Sequence, residues 1–165
     1  MILEVVAAAA LGSTGIVGTT GSSNEASSLA HAIAKDRQRL RENHTLGAGG
    51  DLAFRDLCAI VDECRFVNWD GYGALPVVER TFMYAAHFLR TLPLGTPIPI
   101  VGMEPDGEIT LEWHKSAYHT LSVSVSPEGD LHYSALVGPN TTYGTEAFLG
   151  DIPQIILDLV RRIGA

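Results

Sequence analysis

Asn68-Trp69-Asp70-Gly71-Tyr72-Gly73-Ala74-Leu75-Pro76 is the stretch of sequence that decides how the rest of the chain is interpreted. Asn, Asp and Gly tolerate left-handed backbone angles, and short polar side chains bond their own backbone, so this stretch predicts a tight turn. Helical spacing of apolar residues precedes and follows it, and Pro76 suits the first turn of the second of these helices. The two large aromatic rings either fill a seam in the core or form an exposed recognition loop.

We expect three residues of this turn to contact a partner protein, namely Trp69, Asp70 and Tyr72. Exposed Trp and Tyr are typical anchors of binding surfaces. Gly71 and Gly73 favour a built turn, because glycine adopts backbone angles that other residues resist. We therefore expect Trp69 to be buried against the following helix and Tyr72 to lie nearer the surface.

Apolar residues recur with helical spacing in four parts of the chain. The expected helices span residues 28–43, 51–67, 76–93 and 151–164. In this interpretation Val67 belongs to the buried stripe of the second helix, and Pro76 opens the third.

From Pro97 onwards the period of the apolar residues changes to two, which is typical of strands. Apolar and polar side chains alternate around Ile98 and Ile100 and in three longer runs: Ile109, Leu111 and Trp113; Leu121, Val123 and Val125; Leu131, Tyr133 and Ala135. Turns of the x-Pro-acid-Gly type at 104–107 and 126–129 separate these runs. The pattern predicts an antiparallel meander with one apolar and one polar face, followed by a loop from Gly138 to Gly150.

The expected fold class is therefore α+β, with helices packed in one layer on one face of a three- to four-stranded antiparallel meander that a C-terminal helix closes. A chain of 165 residues corresponds to one domain. We expect a Gly/Ala-rich N-terminal arm over residues 1–27 and a single α+β domain over residues 28–165.

The formal net charge is −8, and the first fifty residues contribute none of it. Residues 51–165 carry fifteen acidic and seven basic side chains, which accounts for the whole excess. An acidic body repels nucleic acid and anionic membranes, so we expect no direct nucleic-acid contact. We also expect no membrane span, because Glu4, glycines and hydroxyl residues interrupt the apolar stretch 1–18. The acidic charge fits a basic protein partner, although it also keeps a protein in solution, and a second copy is the other partner that we consider.

The two cysteines, Cys58 and Cys64, lie six residues apart in a helical pattern. Residues at this spacing point about 240° apart around a helix, so they cannot bridge one face as a disulfide. We expect buried, reduced thiols in a cytoplasmic protein.

Gly12, Gly15 and Gly18 form a GxxGxxG stretch that resembles the phosphate loop of short-chain dehydrogenases. Such a loop requires a strand before it and a helix directly after it. Because residues 19–28 are polar and rich in Gly, Ser and Thr, we expect an arm there and no bound cofactor.

Glu112, His114 and His132 are candidates for a metal or acid–base site on the polar face of the meander, together with Glu108. Glu112 and His114 share a face of one strand because they are two residues apart. Carboxylate and imidazole are metal ligands and proton carriers. The alternative is an ordinary solvated sheet face with favourable cross-strand pairs, and on that interpretation no metal binds.

Four motifs together resemble an uncharacterised family of short bacterial proteins scattered among variable genomic islands. They are Asn-Trp-Asp-Gly-Tyr-Gly-Ala-x-Pro at 68–76, Glu-Pro-Asp-Gly-Glu-Ile-x-Leu-Glu-Trp at 104–113, Leu-Ser-Val-Ser-Val-Ser-Pro-Glu-Gly at 121–129 and Tyr-Gly-Thr-Glu-x-Phe at 143–148. The resemblance covers residues 66–163 and implies a bacterial or mobile-element origin. It implies no catalytic chemistry.

These observations favour a small non-enzymatic protein-binding module that acts through an acidic surface and the aromatic turn at 68–76. Motifs such as a Gly-x-Ser-x-Gly elbow, a P-loop lysine and HExxH do not occur in the sequence. The alternative is a small ligand-binding domain or an enzyme, which would use the Glu/His sheet face or bind a nucleotide at residues 12–18.

Overall fold

The computed structural model describes residues 24–42 and 48–164, and it describes side chains for 24–38 and 50–164. The elements follow in the order α1 (Asn24–Glu42), α2 (Ala48–Glu63), α3 (Glu79–Thr91), β1 (Ile100–Met103), β2 (Ile109–Ser116), β3 (His119–Val125), β4 (Asp130–Val137), β5 (Asn140–Ala147) and α4 (Gln154–Gly164). The strands form one antiparallel sheet whose spatial order is the chain order, β1-β2-β3-β4-β5. The α+β class, the antiparallel meander and the closing C-terminal helix are confirmed.

The apolar face of the sheet has the phase that the sequence predicts. The core contains the alternate residues of the three central strands, namely Ile109, Leu111, Trp113, Leu121, Val123, Val125, Leu131 and Ala135. Trp113 is 2% exposed, and its indole N–H donates to the Pro97 carbonyl at 2.7 Å. Helices α3 and α4 cover this face, whereas no described helix covers the other, which we call the open face.

The predicted number of strands is wrong, because the Gly/Thr-rich segment after Gly138 forms a fifth strand. β5 pairs with β4 residue for residue through a two-residue turn at Gly138 and Pro139. Gly138 has a φ of 61°, which a type II′ hairpin turn requires at its first central position. The strand has no apolar stripe because Tyr133 of β4 lies over Gly144, where an added Cβ would be 2.6 Å from the tyrosine hydroxyl.

The expectation of a single helix layer is also wrong. Helix α1 contacts α2 and α3 but no described strand, so it forms an outer layer. Asp36, whose side chain is 2% exposed, lies 3.0 Å from the guanidinium of Arg90 in α3. Arg37 pairs with Asp62 of α2 at 3.1 Å. A sequence pattern indicates that a helix has a buried side but not which element buries it.

The helix boundaries next to the turn differ from the prediction because long-range hydrogen bonds keep this segment extended. α2 ends at Glu63, and Val67 is 71% exposed. Pro76 lies three residues before Glu79, the first residue of α3, and Val78 is extended, with ψ 156°. The backbone N–H of Val77 donates to the carbonyl of Cys64 at 3.3 Å. This hydrogen bond connects the extended stretch to the residue that follows α2.

The cysteines are free and buried, as expected, and burial raises the pKa of both thiols. In the parts of the chain that the structure describes, no helix is long and apolar enough to cross a membrane. Gly12, Gly15 and Gly18 lie outside the described residues. Helix α1 begins at Asn24, four residues before the expected start of the domain.

Candidate functional site

The candidate site is the aromatic loop, residues 66–76, whose main chain folds back on itself. The N–H of Asn68 donates to the carbonyl of Ala74 at 2.7 Å, and the N–H of Gly71 donates to the carbonyl of Asn68 at 3.0 Å. Asn68, Gly71 and Gly73 all have positive φ, of 64°, 80° and 98°. Only residues that tolerate left-handed angles fit these positions, which explains the Asn/Gly pattern of the sequence.

Two short polar side chains complete the loop. The Oδ1 atom of Asp70 accepts hydrogen bonds from the N–H of Tyr72 at 2.8 Å and of Ala74 at 3.0 Å. The Oδ1 atom of Asn68 accepts from the N–H of Gly73 at 2.7 Å. The bonds from Tyr72 and then Ala74 lower the pKa of Asp70, because they stabilise its ionised form. Neither side chain caps a helix, since both are used within the loop.

Trp69 closes the loop and is not a core residue. Its indole N–H donates to the carbonyl of Leu75 at 2.9 Å, and the side chain is half-buried. The expectation that Trp69 is fully buried against the third helix is therefore wrong. Because its polar atom is bonded within the loop, Trp69 fixes the loop's shape and presents only part of its ring.

The loop also rests on the β1–β2 turn, residues 104–108. The N–H of Leu75 donates to the carbonyl of Pro105 at 2.8 Å. Gly107 has a φ of 90°, and a Cβ built on it would lie 3.0 Å from the carbonyl oxygen of Pro76. The close approach of the two segments therefore requires glycine at position 107.

Tyr72 projects from this fixed frame into solvent. It is 95% exposed, the largest exposed fraction among the large hydrophobic side chains of the described residues. Its neighbours Phe66, Val67 and Leu75 are at least half exposed as well. Four large apolar side chains thus lie on a single eleven-residue loop, a concentration typical of a contact surface rather than of scattered surface residues.

The β1–β2 turn, against which the loop packs, carries three carboxylates. They belong to Glu104, Asp106 and Glu108. Burial raises the pKa of Glu108 above its usual value, and the charges of Asp106 and Glu104 raise it further. Glu104 accepts a hydrogen bond from Thr110 at 2.6 Å and Glu108 lies 3.8 Å from His132, so two of the three carboxylates interact with residues on the open face of the sheet.

The structure does not gather the three sequence-predicted Glu/His residues into one site. Glu112 and His114 lie on the open face of β2, where they pair with Ser122 and Thr120 of β3. His132 lies on β4, opposite Ser124, which in turn faces Thr110. Within the described residues, no group of three or more His, Cys, Asp or Glu side chains is arranged to hold a metal ion.

His132 instead belongs to a short polar chain that sequence reasoning found only in part. Its Nδ1 atom lies 2.9 Å from Thr145 Oγ1, and its Nε2 atom lies 3.8 Å from Glu108 Oε1. A hydroxyl, an imidazole and a carboxylate in this order are the parts of an activated nucleophile. All three lie on the open sheet face, and the His132 side chain is 47% exposed, so the chain is in contact with water.

Sequence reasoning missed Phe66, Val67 and Leu75 as surface residues. The helical spacing of Val67 with Cys64 predicts that Val67 is buried. In the structure α2 ends before Val67, and the hydrogen bond from Val77 to Cys64 holds the following chain extended. The sequence signal that could have indicated their exposure is the high density of apolar residues in and beside a polar turn.

Comparison with known proteins finds no significant similarity to any family model, curated protein or solved structure.

Proposed function

We propose that the protein is a small non-enzymatic protein-binding module and that the aromatic loop is its contact surface. The observation that carries this proposal is Tyr72, fully presented to solvent on a loop whose main chain is already bonded. Trp69 and Asp70 act as positioning residues, and Tyr72 acts as the anchor.

Preorganisation is the physical support for this assignment. A flexible loop loses conformational freedom when it binds, at a cost of about 0.5–1.5 kcal/mol for each immobilised side chain. In the aromatic loop the bonds made by Asn68, Trp69 and Asp70 fix the frame before any partner arrives. Tyrosine adds a large contact area at low entropic cost and is enriched among binding hot spots.

The partner chemistry follows from the charges around the loop. The adjacent β1–β2 turn contributes three carboxylates, and the body of the protein carries an excess of eight negative charges. A basic protein is attracted to this surface, whereas nucleic acid is repelled. We infer a partner with an apolar pocket for Tyr72 and a rim of Lys or Arg.

A photo-crosslinking experiment tests the proposal. The photoreactive amino acid p-benzoylphenylalanine replaces Tyr72 in one variant and Tyr118 in a matched control, and both are expressed in the source cell. Tyr118 is also strongly exposed, but it lies in the β2–β3 connection at the opposite end of the sheet. We expect a specific adduct from position 72 that the control does not form.

The captured protein is then purified, and its affinity for Tyr72→Ala and Tyr118→Ala is measured. Loss of a hot-spot tyrosine costs at least about 2 kcal/mol, which is a roughly 30-fold weaker Kd. Identical adducts from both positions, or an unchanged Kd for Tyr72→Ala, would rule out the aromatic loop as the contact surface.

A hydrolytic or acid–base enzyme is the second candidate, and the Thr145–His132–Glu108 chain is the observation that favours it. In this alternative His132 removes the proton of Thr145, and Glu108 stabilises the imidazolium. Hydrolysis of p-nitrophenyl acetate by the wild type and by His132→Gln tests it. A rate that rises with deprotonation of an imidazole and disappears in His132→Gln would support an enzyme, whereas equal rates would dismiss it.

We further propose a bacterial or mobile-element origin and a cytoplasmic location. The first rests on the resemblance of residues 66–163, and the second on two buried thiols whose pKa values burial raises. Such thiols persist in a reducing compartment. Fractionation of the source cell checks the location, and recovery from an oxidising compartment would contradict it.

A further inference from the structure

Strand β5 forms an uncovered edge of the sheet. Among the described elements it contacts only β4, on one of its two sides. Its eight residues pair with β4 from Asn140 to Ala147 without a bulge. One long edge of the molecule is therefore regular extended backbone.

The orientation of the free backbone groups follows from the ladder. In an antiparallel pair, residues alternate between exchanging hydrogen bonds with the neighbour and pointing away from it. The N–H of Phe148 donates to the carbonyl of Gly129 at 2.8 Å, which places the even-numbered residues of this strand towards β4. The N–H and C=O groups of residues 141, 143, 145 and 147 consequently face outwards.

The opposite edge of the sheet is protected in ways that β5 is not. β1 has only four residues, Pro99 and Pro105 lie close to its two ends, and α2 packs against it. Short length, proline and a covering element are the usual devices that prevent an edge from pairing with another chain. β5 has twice the length, no proline and no lysine.

The charge around β5 favours one kind of occupant. Neither β5 nor its neighbour β4 contains Lys or Arg. Glu146 lies on β5 itself and Asp130 is paired with Ala147. A second copy would bring the same acidic residues to the edge, whereas a basic segment would neutralise them.

From this geometry we propose that the edge of β5 binds an extended, Lys/Arg-containing segment of a partner as a sixth strand. Main-chain hydrogen bonds to residues 141, 143, 145 and 147 hold the segment, and Glu146 faces one of its basic side chains. Tyr143, which is 79% exposed on the open face, covers an apolar or basic side chain of the incoming strand. This site is separate from the aromatic loop and does not depend on it.

Amide hydrogen exchange measured by NMR tests the proposal with a defined probe. The probe is an acetylated, amidated octapeptide in which Lys or Arg alternates with Val and Thr. In the free protein, the amides of residues 142, 144 and 146 exchange slowly and those of 141, 143, 145 and 147 exchange fast. With the peptide at about 1 mM and a Kd of about 0.1 mM, about nine-tenths of the protein is bound, so we expect the four fast amides to slow about tenfold.

Two control peptides separate the parts of the claim. The same peptide with all its internal amides N-methylated keeps the charge, but it cannot donate to the outward carbonyls of β5 and its methyl groups keep the two backbones apart, so it gives no protection. The peptide with Glu in place of each basic residue keeps the donors and also gives no protection. Tyr143→Pro removes one outward N–H at a position where an edge strand accepts proline, and it weakens binding at least about tenfold.

Several results would overturn the proposal. Unchanged exchange at the four outward amides with the basic peptide would exclude strand addition. Equal protection by the Glu peptide would refute the basic partner. Protection that grows with protein concentration in the absence of peptide would show that a second copy occupies the edge. If Tyr143→Pro does not fold, Glu146→Gln replaces it, with weaker binding of the basic peptide as the expected result and unchanged binding as the refuting one.

Discussion

The aromatic loop and strand β5 are both exposed, but they present opposite parts of the chain. In the loop, the main chain is bonded to Asn68 and Asp70, and the large side chain of Tyr72 is free. In β5, small polar side chains predominate, and one set of backbone groups is free. One fold therefore exposes two kinds of free groups, which are large side chains in the loop and main-chain N–H and C=O groups in β5.

The comparison depends on a rigid sheet beneath both regions, and Trp113 is the largest buried side chain of that sheet. Trp113→Ala removes an indole that packs against Phe88 and bonds Pro97, so we expect a loss of about 3–5 kcal/mol in the free energy of unfolding. Glu112→Ala, one residue away on the open face, costs less than about 0.5 kcal/mol. Denaturant unfolding measures both. Equal and small losses would mean that the strand phase is shifted by one residue.

Gly107 tests how firmly the aromatic loop is seated on the sheet. Gly107→Ala combines strain at φ 90° with a 3.0 Å approach to the backbone of Pro76, so we expect a loss of about 2–4 kcal/mol. Gly71→Ala is the matched control, because its φ is 80° and nothing lies within 4 Å of the added Cβ. Its expected loss is about 1 kcal/mol, from strain alone. Equal losses in thermal melts would show that the loop does not depend on close packing against the β1–β2 turn.

Asp70 makes the stability of the aromatic loop dependent on pH. The folded-state pKa of Asp70 is lowered by hydrogen bonds from the N–H groups of Tyr72 and Ala74. The stabilisation is therefore fully present above the unfolded pKa of about 3.9 and is lost as the pH falls through the lower, folded pKa. In an NMR titration the amide signals of Tyr72 and Ala74 should move together with the Asp70 carboxyl. A carboxyl that titrates at or above about 3.9 would show that these bonds do not hold the loop.

The same contrast explains what could be predicted from the sequence. The turn at 68–76 and the phases of β2, β3 and β4 were predictable, because positive-φ residues and period-two alternation are local signals. The sequence does not predict β5 because this strand has no apolar stripe of its own. The Tyr133 side chain of β4 lies over Gly144 of β5 instead. A run of Thr and Tyr after a Gly-Pro turn was the only available sign.

The sequence places Trp69, Asp70 and Tyr72 in one turn, but it does not indicate which of these side chains is bonded within the loop and which is free. Which side chain is used inside the loop depends on hydrogen bonds to Leu75 and Ala74 that only the folded main chain defines. Glu112 and His114 lie opposite Ser122 and Thr120 of β3, whereas His132 lies opposite Ser124 and interacts with Glu108 instead. The spacing of residues in the sequence shows which of them share a face of the sheet, but it does not show how far apart they lie on that face.

The most direct test of the account is the separation of stability from affinity at Trp69 and Tyr72. Both alanine variants are compared by thermal melting and by Kd for the partner captured through position 72. Trp69→Ala removes the bond to Leu75 and half-buried ring area, so we expect a Tm lower by about 3–6 °C. Tyr72→Ala removes an exposed ring, so we expect a Tm within about 1 °C of the wild type and a Kd at least about 30-fold weaker. A Tm loss in Tyr72→Ala equal to that of Trp69→Ala, or an unchanged Kd, would contradict the assignment of this loop as the binding surface.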